Sequence, residues 1–428
     1  MENQSQGSAP SHPNHRLDPP SYELHSPVSN EQSHRPESPH HESRSRSRNA
    51  SLSPQSIPEE IIIEILSDLP VKSLLRFGCV SKSWKSLISD PFFIRKHLKR
   101  IQNDRKFSEK RVLIKTACSG SPFIIGSFPL NAIHEDPFVK ATRIECPLER
   151  SYRSIKIVGS CDGLICIAIR EDAEFLSKYT LFLLNPALRV SKRLPDLNCK
   201  TGICLVYGFG FDASKDDYKV VRVCSHPDKA IEDGYKSIVD VYSSRTNRWR
   251  RIHDFPFRVS RNEGVKHVDG TLNWSVYGSR KAGFPFTIIS LDLARETYDE
   301  VMQPCYGGGG VGERTLGVLD GCLCVLCHHA CSYADVWVMK EYGKTASWTK
   351  LITISYAQHL RFCTHCTPSF TSVSDEILLC FGATLVVYNP KEDKLRVPRF
   401  PDKGFTLVSR AEVYEESLVS PIVIDRHR

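Results

Sequence analysis

Between residues 57 and 69 apolar side chains recur at helical spacing. Ile57, Ile61, Ile65 and Leu69 stand four apart, and Ile62 and Leu66 occupy the adjoining strip. Glu59, Glu60, Glu64 and Asp68 fill most of the remainder, so the spacing predicts an amphipathic helix with one broad apolar face. Ser56 followed three residues later by Glu59 fits a capping box, Pro58 suits a first turn, and Pro70 forces the chain out of helix after Leu69. A second helix is predicted over Val71–Val80, through Val71, Leu74, Leu75, Phe77 and Val80. A third runs over Ser81–Ile88, carries Trp84, Leu87 and Ile88, and stops before Asp90-Pro91. Gly78 inside the second helix should cost about 1 kcal/mol relative to Ala. A unit this small leaves apolar surface over, either to cap a neighbouring domain or to meet a partner.

From about residue 111 the period shortens to that of strands, with apolar runs separated by Gly, Asp, Asn and Pro turns. One unit reads strand, Asp162-Gly163 turn, strand, a further strand over Tyr179–Leu184, an Asn185-Pro186 turn and a last strand near Val190–Leu194. Asp269-Gly270 and Asp320-Gly321 restart the same order, with related runs at Lys219–Val223 and Ile377–Phe381. Gly270, Gly321 and Gly382 mark a spacing of about 50 to 60 residues, which suits the blades of a β-propeller. A four-stranded blade cannot bury both faces alone, so radial stacking must supply the core. Trp249, Tyr298 and Trp348, each on a predicted fourth strand, are expected to wedge between blades. A pair of twisted β-sandwiches, or a propeller with an incomplete final blade, fits the same runs.

Composition adds a third region. Residues 1–55 are rich in Ser, Pro and His, contain Ser43-Arg44-Ser45-Arg46-Ser47-Arg48, and read as a disordered tail. The domain layout is therefore a tail over 1–55, a helical unit over 56–100, a linker over 101–110 and a β region over 111–428. The net charge of +8 is spread out: the first 55 residues carry five Arg against six acidic residues. The densest basic cluster, from Arg95 to Arg111, reads as a solvated helical face, and nucleic-acid contact is not expected. No apolar run approaches a membrane span and the N-terminus is polar, so a cytoplasmic or nuclear location is expected, with no membrane contact. The sixteen cysteines, scattered without a signal peptide, read as reduced filler of the core.

Few clusters suggest chemistry. Cys322, Cys324, Cys327, His328, His329 and Cys331, with Cys363, His365 and Cys366 downstream, are dense enough for zinc, yet Cys322 and Cys324 alternate along a predicted strand and lack paired knuckles. A buried strand of thiols is the preferred reading. Gly307–Gly310 with Gly312 lacks the Gly-Lys-Ser and the strand-to-helix context of a phosphate cradle. No nucleophile elbow, zincin helix or carboxylate pair is present, so neither catalysis nor a cofactor is expected.

The string Ile57-Pro58, Leu69-Pro70, Leu74-Leu75-Arg76-Phe77, Cys79-Val80-Ser81-Lys82-Ser83-Trp84 and Asp90-Pro91-Phe92-Phe93 resembles the F-box. Residues 111–428 resemble the F-box-associated, kelch-like domain of plant F-box proteins. The fold class implied is a small all-α three-helix F-box followed by an all-β kelch-like β-propeller. The resemblance implies the substrate-recognition subunit of an SCF ubiquitin ligase: a non-catalytic adaptor that binds Skp1, reaches a cullin and a RING protein through it, and holds a protein substrate. It assigns Skp1 contact to Ile57, Pro58, Ile62, Ile65, Leu66, Leu69, Pro70, Leu74, Val80 and Trp84, with Trp84 as the anchor. Substrate contact is expected in loops 226–237, 278–285, 303–314 and 328–334. The alternative is a kelch-like metal-binding protein or enzyme whose helices serve only for packing.

Overall fold

The computed structural model describes residues 57–422, except 104–109, 119–120, 136–137, 149–151, 172–178, 198–203, 229–234, 258–263, 278–285, 307–312, 330–332, 356–365, 372–375, 382–383 and 402–407. The Ser-Arg tail, Ser56 of the capping box, the Gly307–Gly312 run, Cys331, Cys363, His365 and Gly382 therefore lie outside the described residues.

Four helices open the described chain: α1 (Glu59–Ser67), α2 (Val71–Phe77), α3 (Lys82–Ile88) and α4 (Pro91–Asn103). The first three follow the apolar spacing. The fourth follows the expected three and crosses the expected linker at residue 101. Its reason is amphipathicity: Phe93, His97 and Ile101 stand four apart and are buried, while Arg95, Lys96, Lys99 and Arg100 take the other side. Asp90 starts α4 by accepting the Phe92 N–H at 2.8 Å, which lets Pro91 occupy the first helical position. Pro58 is the N-cap of α1 and lies just outside its first turn. The second helix also stops earlier than Val80. Gly78 caps it at φ −60°, so the expected mid-helix penalty does not arise.

Residues 110–415 form six four-stranded sheets, each a run of antiparallel neighbours. Five blades are contiguous in sequence, over 152–193, 204–251, 266–301, 314–355 and 366–396. The remaining blade combines three N-terminal strands, Lys110–Cys118, Ser121–Pro129 and Thr142–Ile144, with the C-terminal strand Val408–Glu415. Lys110 pairs with Glu415 and Lys115 with Arg410, so the two ends of the propeller close the ring. The sheets form a six-bladed β-propeller, not a sandwich pair, and the last blade is complete.

Stacking supplies the core as the repeat demands. Six apolar clusters each join two neighbouring blades; one brings Val206, Val223 and Val241 of the 204–251 blade against Leu272, Trp274 and Leu291 of the next. The three fourth-strand aromatics act between blades as expected, and through a shared device. Trp249 Nε1 donates to Pro195 O at 2.8 Å, Tyr298 OH to His253 O at 2.9 Å and Trp348 Nε1 to Met302 O at 2.9 Å. In each case the acceptor lies just beyond the outer strand of the preceding blade, so the ring fills the junction and its polar atom ties it.

The turns divide between two rims. Asp162-Gly163, Asp269-Gly270 and Asp320-Gly321 have positive φ at both residues, the two-residue hairpin turn that this dipeptide favours. Third strands end in wider turns in which Asn185, Asp292 and Asn389 accept the N–H two residues on, at 2.8–3.0 Å. All of these turns share one rim, and the helices sit there. Ala187 and Leu188 of the Asn185 turn, together with Leu418, complete the helical core around Leu66, Leu74, Ile88 and Phe93. Arg95 pairs with Asp216, and Gln102 donates to Asp162 at 2.9 Å. Leu418 is held in place because Asn185 Nδ2 donates to both Ser417 O and Val419 O, at 2.9 and 2.8 Å.

Candidate functional site

The helical unit buries one side and leaves another bare. Leu66 and Leu74, both expected at the partner surface, are only 3 % and 0 % exposed and serve as core. Ile62, Leu69, Pro70 and Trp84 are half-buried; Trp84 meets Phe77 edge-on at 5.5 Å. Ile57, Pro58, Ile65 and Val80 are exposed, with Ile57 at 59 %, Ile65 at 55 % and Val80 at 74 %. Two exposed residues were not assigned from the sequence. Ile61 belongs to the four-residue strip of Ile57 and Ile65 and was legible there; Phe92 lies in the first turn of α4, where only the fold shows that it points outward.

Charged and polar contacts set the angle of α1 against α4. Lys96 and Arg100 both reach Glu64, the latter at 3.0 Å, and Arg100 also donates to Asp68 at 2.8 Å. The Lys96 hydrogen bond, then Arg100, keep the Glu64 carboxyl below its ordinary value. Such exposed pairs orient more than they stabilise. Beneath them the buried His97 donates from Nε2 to Leu69 O at 2.9 Å and stacks on Phe93, and burial lowers its pKa. This bond ties α4 to the Leu69 carbonyl in the turn between α1 and α2, where Ser73 and Leu74 donate to Pro70 O instead.

An apolar strip thus stands exposed on a short helix whose unit packs by its other side on the propeller. The F-box domain family matches residues 55–96, and the F-box associated beta propeller domain family matches residues 123–419. The chain is an F-box protein of the F-box-associated β-propeller family. It is 33 % identical over 378 residues to the F-box/kelch-repeat protein At3g23880 of Arabidopsis thaliana, covering 86 % of this chain and 97 % of that one. The F-box protein CPR1 of the same plant is 31 % identical over 363 residues, with 79 % of this chain and 83 % of that one covered. A third Arabidopsis thaliana relative, F-box protein At3g07870, is 29 % identical over 318 residues and spans 70 % and 73 %.

In this F-box protein the strand ends that flank loops 226–237, 278–285, 303–314 and 328–334 all lie on the rim opposite the helices. Residues 229–234, 278–285, 307–312 and 330–332 of these loops lie outside the described residues. The order of strands thus brings the flanking strand ends of all four segments to one rim.

The thiol-rich strand Cys322–His329 runs through the middle of its blade. Cys324 and Cys327 are fully buried, and burial raises both thiols, Cys324 to about 12. His329 Nε2 lies 3.1 Å from Asp335, which also accepts from Thr353 at 2.6 Å and pairs with Lys350 at 2.7 Å. Among the described residues no group of three or more His, Cys, Asp or Glu is placed to hold a metal ion. No described helix is long and apolar enough to cross a membrane.

Along the propeller axis lies a cavity of about 220 Å³, lined among others by Asp162, Phe209, Lys266, His267, Glu412 and Tyr414. Its charges are matched, with Lys266 4.0 Å from Glu412 and Lys110 4.0 Å from Glu415. His267 Nε2 accepts the Phe211 N–H at 3.3 Å, and burial depresses the ring to about 4. A cavity of this size and polarity suits a chain of waters better than an extended substrate.

Proposed function

We propose that this chain is the substrate-recognition subunit of an SCF-type E3 ubiquitin ligase. The observation that carries the reading is the uncovered apolar surface of Ile57, Ile61, Ile65 and Val80 on a unit whose other side is already committed to its own propeller. Exposed apolar surface concentrated on one small unit is the mark of an interface. Skp1 is the partner that the F-box family implies, and a cullin and a RING protein follow through it. The half-buried Ile62, Leu69, Pro70 and Trp84 shape the edge of that surface, and Leu66 and Leu74 support it from within.

The chain contributes no reacting group. Its task is to raise the local concentration of a bound protein substrate near the ubiquitin-charged enzyme and to fix its orientation. The shared core of Leu418, Ala187 and Leu188 with the helices makes the far rim a fixed extension of the Skp1 surface. The substrate would bind on that rim. A cytoplasmic or nuclear location accords with this role.

Co-purification with Skp1 tests the reading, comparing the intact chain with Ile65→Glu and Val80→Glu. Both positions are solvent-exposed, so the variants should keep the thermal midpoint of the parent while losing at least tenfold in Skp1 capture. An intact chain that ignores Skp1, or variants that bind it normally, would overturn the proposal.

A further inference from the structure

Two opposite charges meet across the propeller axis without closing on each other. Lys266 opens the inner strand of the 266–301 blade and is buried; Glu412 lies half-buried on the C-terminal strand of the blade that closes the ring. Their strands belong to different sheets, yet both side chains line the axial cavity, with Nζ and Oε2 4.0 Å apart. That is too long for a hydrogen bond. Enclosed pairs elsewhere in the propeller do close: Lys219 stands 2.8 Å from Asp212, and Arg222 2.6 Å from Asp240. A buried pair repays its lost hydration only through close contact and hydrogen bonds, so an open pair keeps donors and acceptors for a third group.

Other polar groups of the cavity are already engaged. Asp162 accepts from Tyr218 OH and from Gln102 Nε2, each at 2.9 Å, and His267 Nε2 accepts the Phe211 N–H at 3.3 Å. Lys110 and Glu415, 4.0 Å apart nearer the helix-side rim, are cross-strand partners that their sheet brings together. Phe209, Val265 and Val318 add apolar lining. At about 220 Å³ the cavity is smaller than the roughly 300–1,000 Å³ of sites for drug-sized ligands, so it fits one small molecule and not a peptide segment. Charge narrows the choice further. An anion on Lys266 alone would face Glu412, and a cation on Glu412 alone would face Lys266, so the occupant must carry both signs.

We infer that the axial cavity is a binding site for a free α-amino acid, with its carboxylate on Lys266, its ammonium on Glu412 and an apolar side chain against Phe209, Val265 and Val318. An α-amino acid holds both charges on one carbon, a span that suits neighbouring charges 4.0 Å apart. Seated there, it replaces one open pair by two charge-assisted hydrogen bonds of about 2.7–2.9 Å. The inference lies beyond the ligase reading and uses no residue of the proposed Skp1 surface, so either can fail without the other.

The test uses the full chain in a buffer free of amino acids. Thermal midpoints are measured with each of the standard apolar amino acids at millimolar concentration, and titration calorimetry gives the affinity of those that raise the midpoint. One or more should do so. The amide of that amino acid lacks the carboxylate and its N-acetyl derivative lacks the ammonium; each should bind at least about tenfold more weakly, the loss of one charge-assisted hydrogen bond. Glu412→Gln and Lys266→Met, which keep the size of the side chain and remove its charge, should weaken the parent amino acid by a similar factor. No shift with any apolar amino acid, an amide or N-acetyl derivative that binds as tightly as its parent, or a folded variant that keeps full affinity would overturn the inference. Where a variant fails to fold, the two derivatives on the intact chain decide the matter alone.

Discussion

Acid should loosen the propeller through His267, and the size of the effect follows from its surroundings. The Phe211 N–H donates to Nε2, so that nitrogen must be bare in the folded protein. The Gly210 backbone lies so close that an added Cβ would approach the ring within 2.4 Å. Burial outweighs the opposing pull of Asp269 and depresses the folded pKa to about 4, whereas an unfolded histidine titrates near 6.5. The unfolded chain therefore takes up the proton first as pH falls. The stability is fully present above about pH 6.5, is lost between about 6.5 and 4, and falls no further below. A shift of about 2.5 units corresponds to roughly 3 kcal/mol at the acid limit, of which about 2 kcal/mol is already lost by pH 5. Urea unfolding followed by tryptophan fluorescence at pH 8 and pH 5 should show this loss in the parent. His267→Gln keeps an acceptor for the Phe211 N–H but cannot titrate, so its pH dependence should be about 2 kcal/mol smaller. Equal pH dependence in the two proteins would refute the reasoning. His97, also lowered by burial, contributes with the same sign in both and cancels from the comparison.

Other outcomes follow from packing. Trp348→Phe keeps a ring at the blade junction but leaves Met302 O without its donor, and should cost about 1 kcal/mol, against about 3–5 kcal/mol for Trp348→Ala; chemical denaturation distinguishes the two. Gly210→Ala should destabilise by about 1–3 kcal/mol because its Cβ meets both the His267 ring and Leu293. Gly78→Ala should be neutral or stabilising by up to about 1 kcal/mol, since φ is −60° and the nearest atoms lie at 3.5 Å; thermal midpoints of the two glycine variants should move in opposite directions or differ plainly in size. Leu418→Ala removes a propeller side chain from the helical core and should cost about 2–4 kcal/mol, appearing as faster amide exchange in α1–α4 while the outer blades stay protected.

Much of the helical unit was legible because its signals are local. Four-residue spacing marked the strip of Ile57, Ile61 and Ile65, and Pro70 marked the end of α1, since periodicity and a missing backbone donor act within a few residues. The Asp-Gly turns and the junction aromatics Trp249, Tyr298 and Trp348 were legible for the same reason: each is a local solution that recurs in three of the six blades. Even here local reading overran. It carried α2 through Gly78, and it read only the solvated basic face of α4, not its buried face, whose positions Phe93, His97 and Ile101 include a histidine that only a buried carbonyl partner makes a core residue.

Chain pattern alone determined two kinds of domain, their order and the repeat, because hydrophobic period dictates which face must be buried. Tertiary structure decided what those faces meet. It assigned Leu66 and Leu74 to the core and left Ile65 and Val80 exposed, a division that spacing cannot make because both sets are equally apolar. It closed the ring by pairing Lys110 with Glu415, from positions 305 residues apart in the numbering. It also set the long loops on the rim remote from the helices. These outcomes depend on which strands become neighbours, and that is settled by burying all six blade faces at once, a condition no single segment contains.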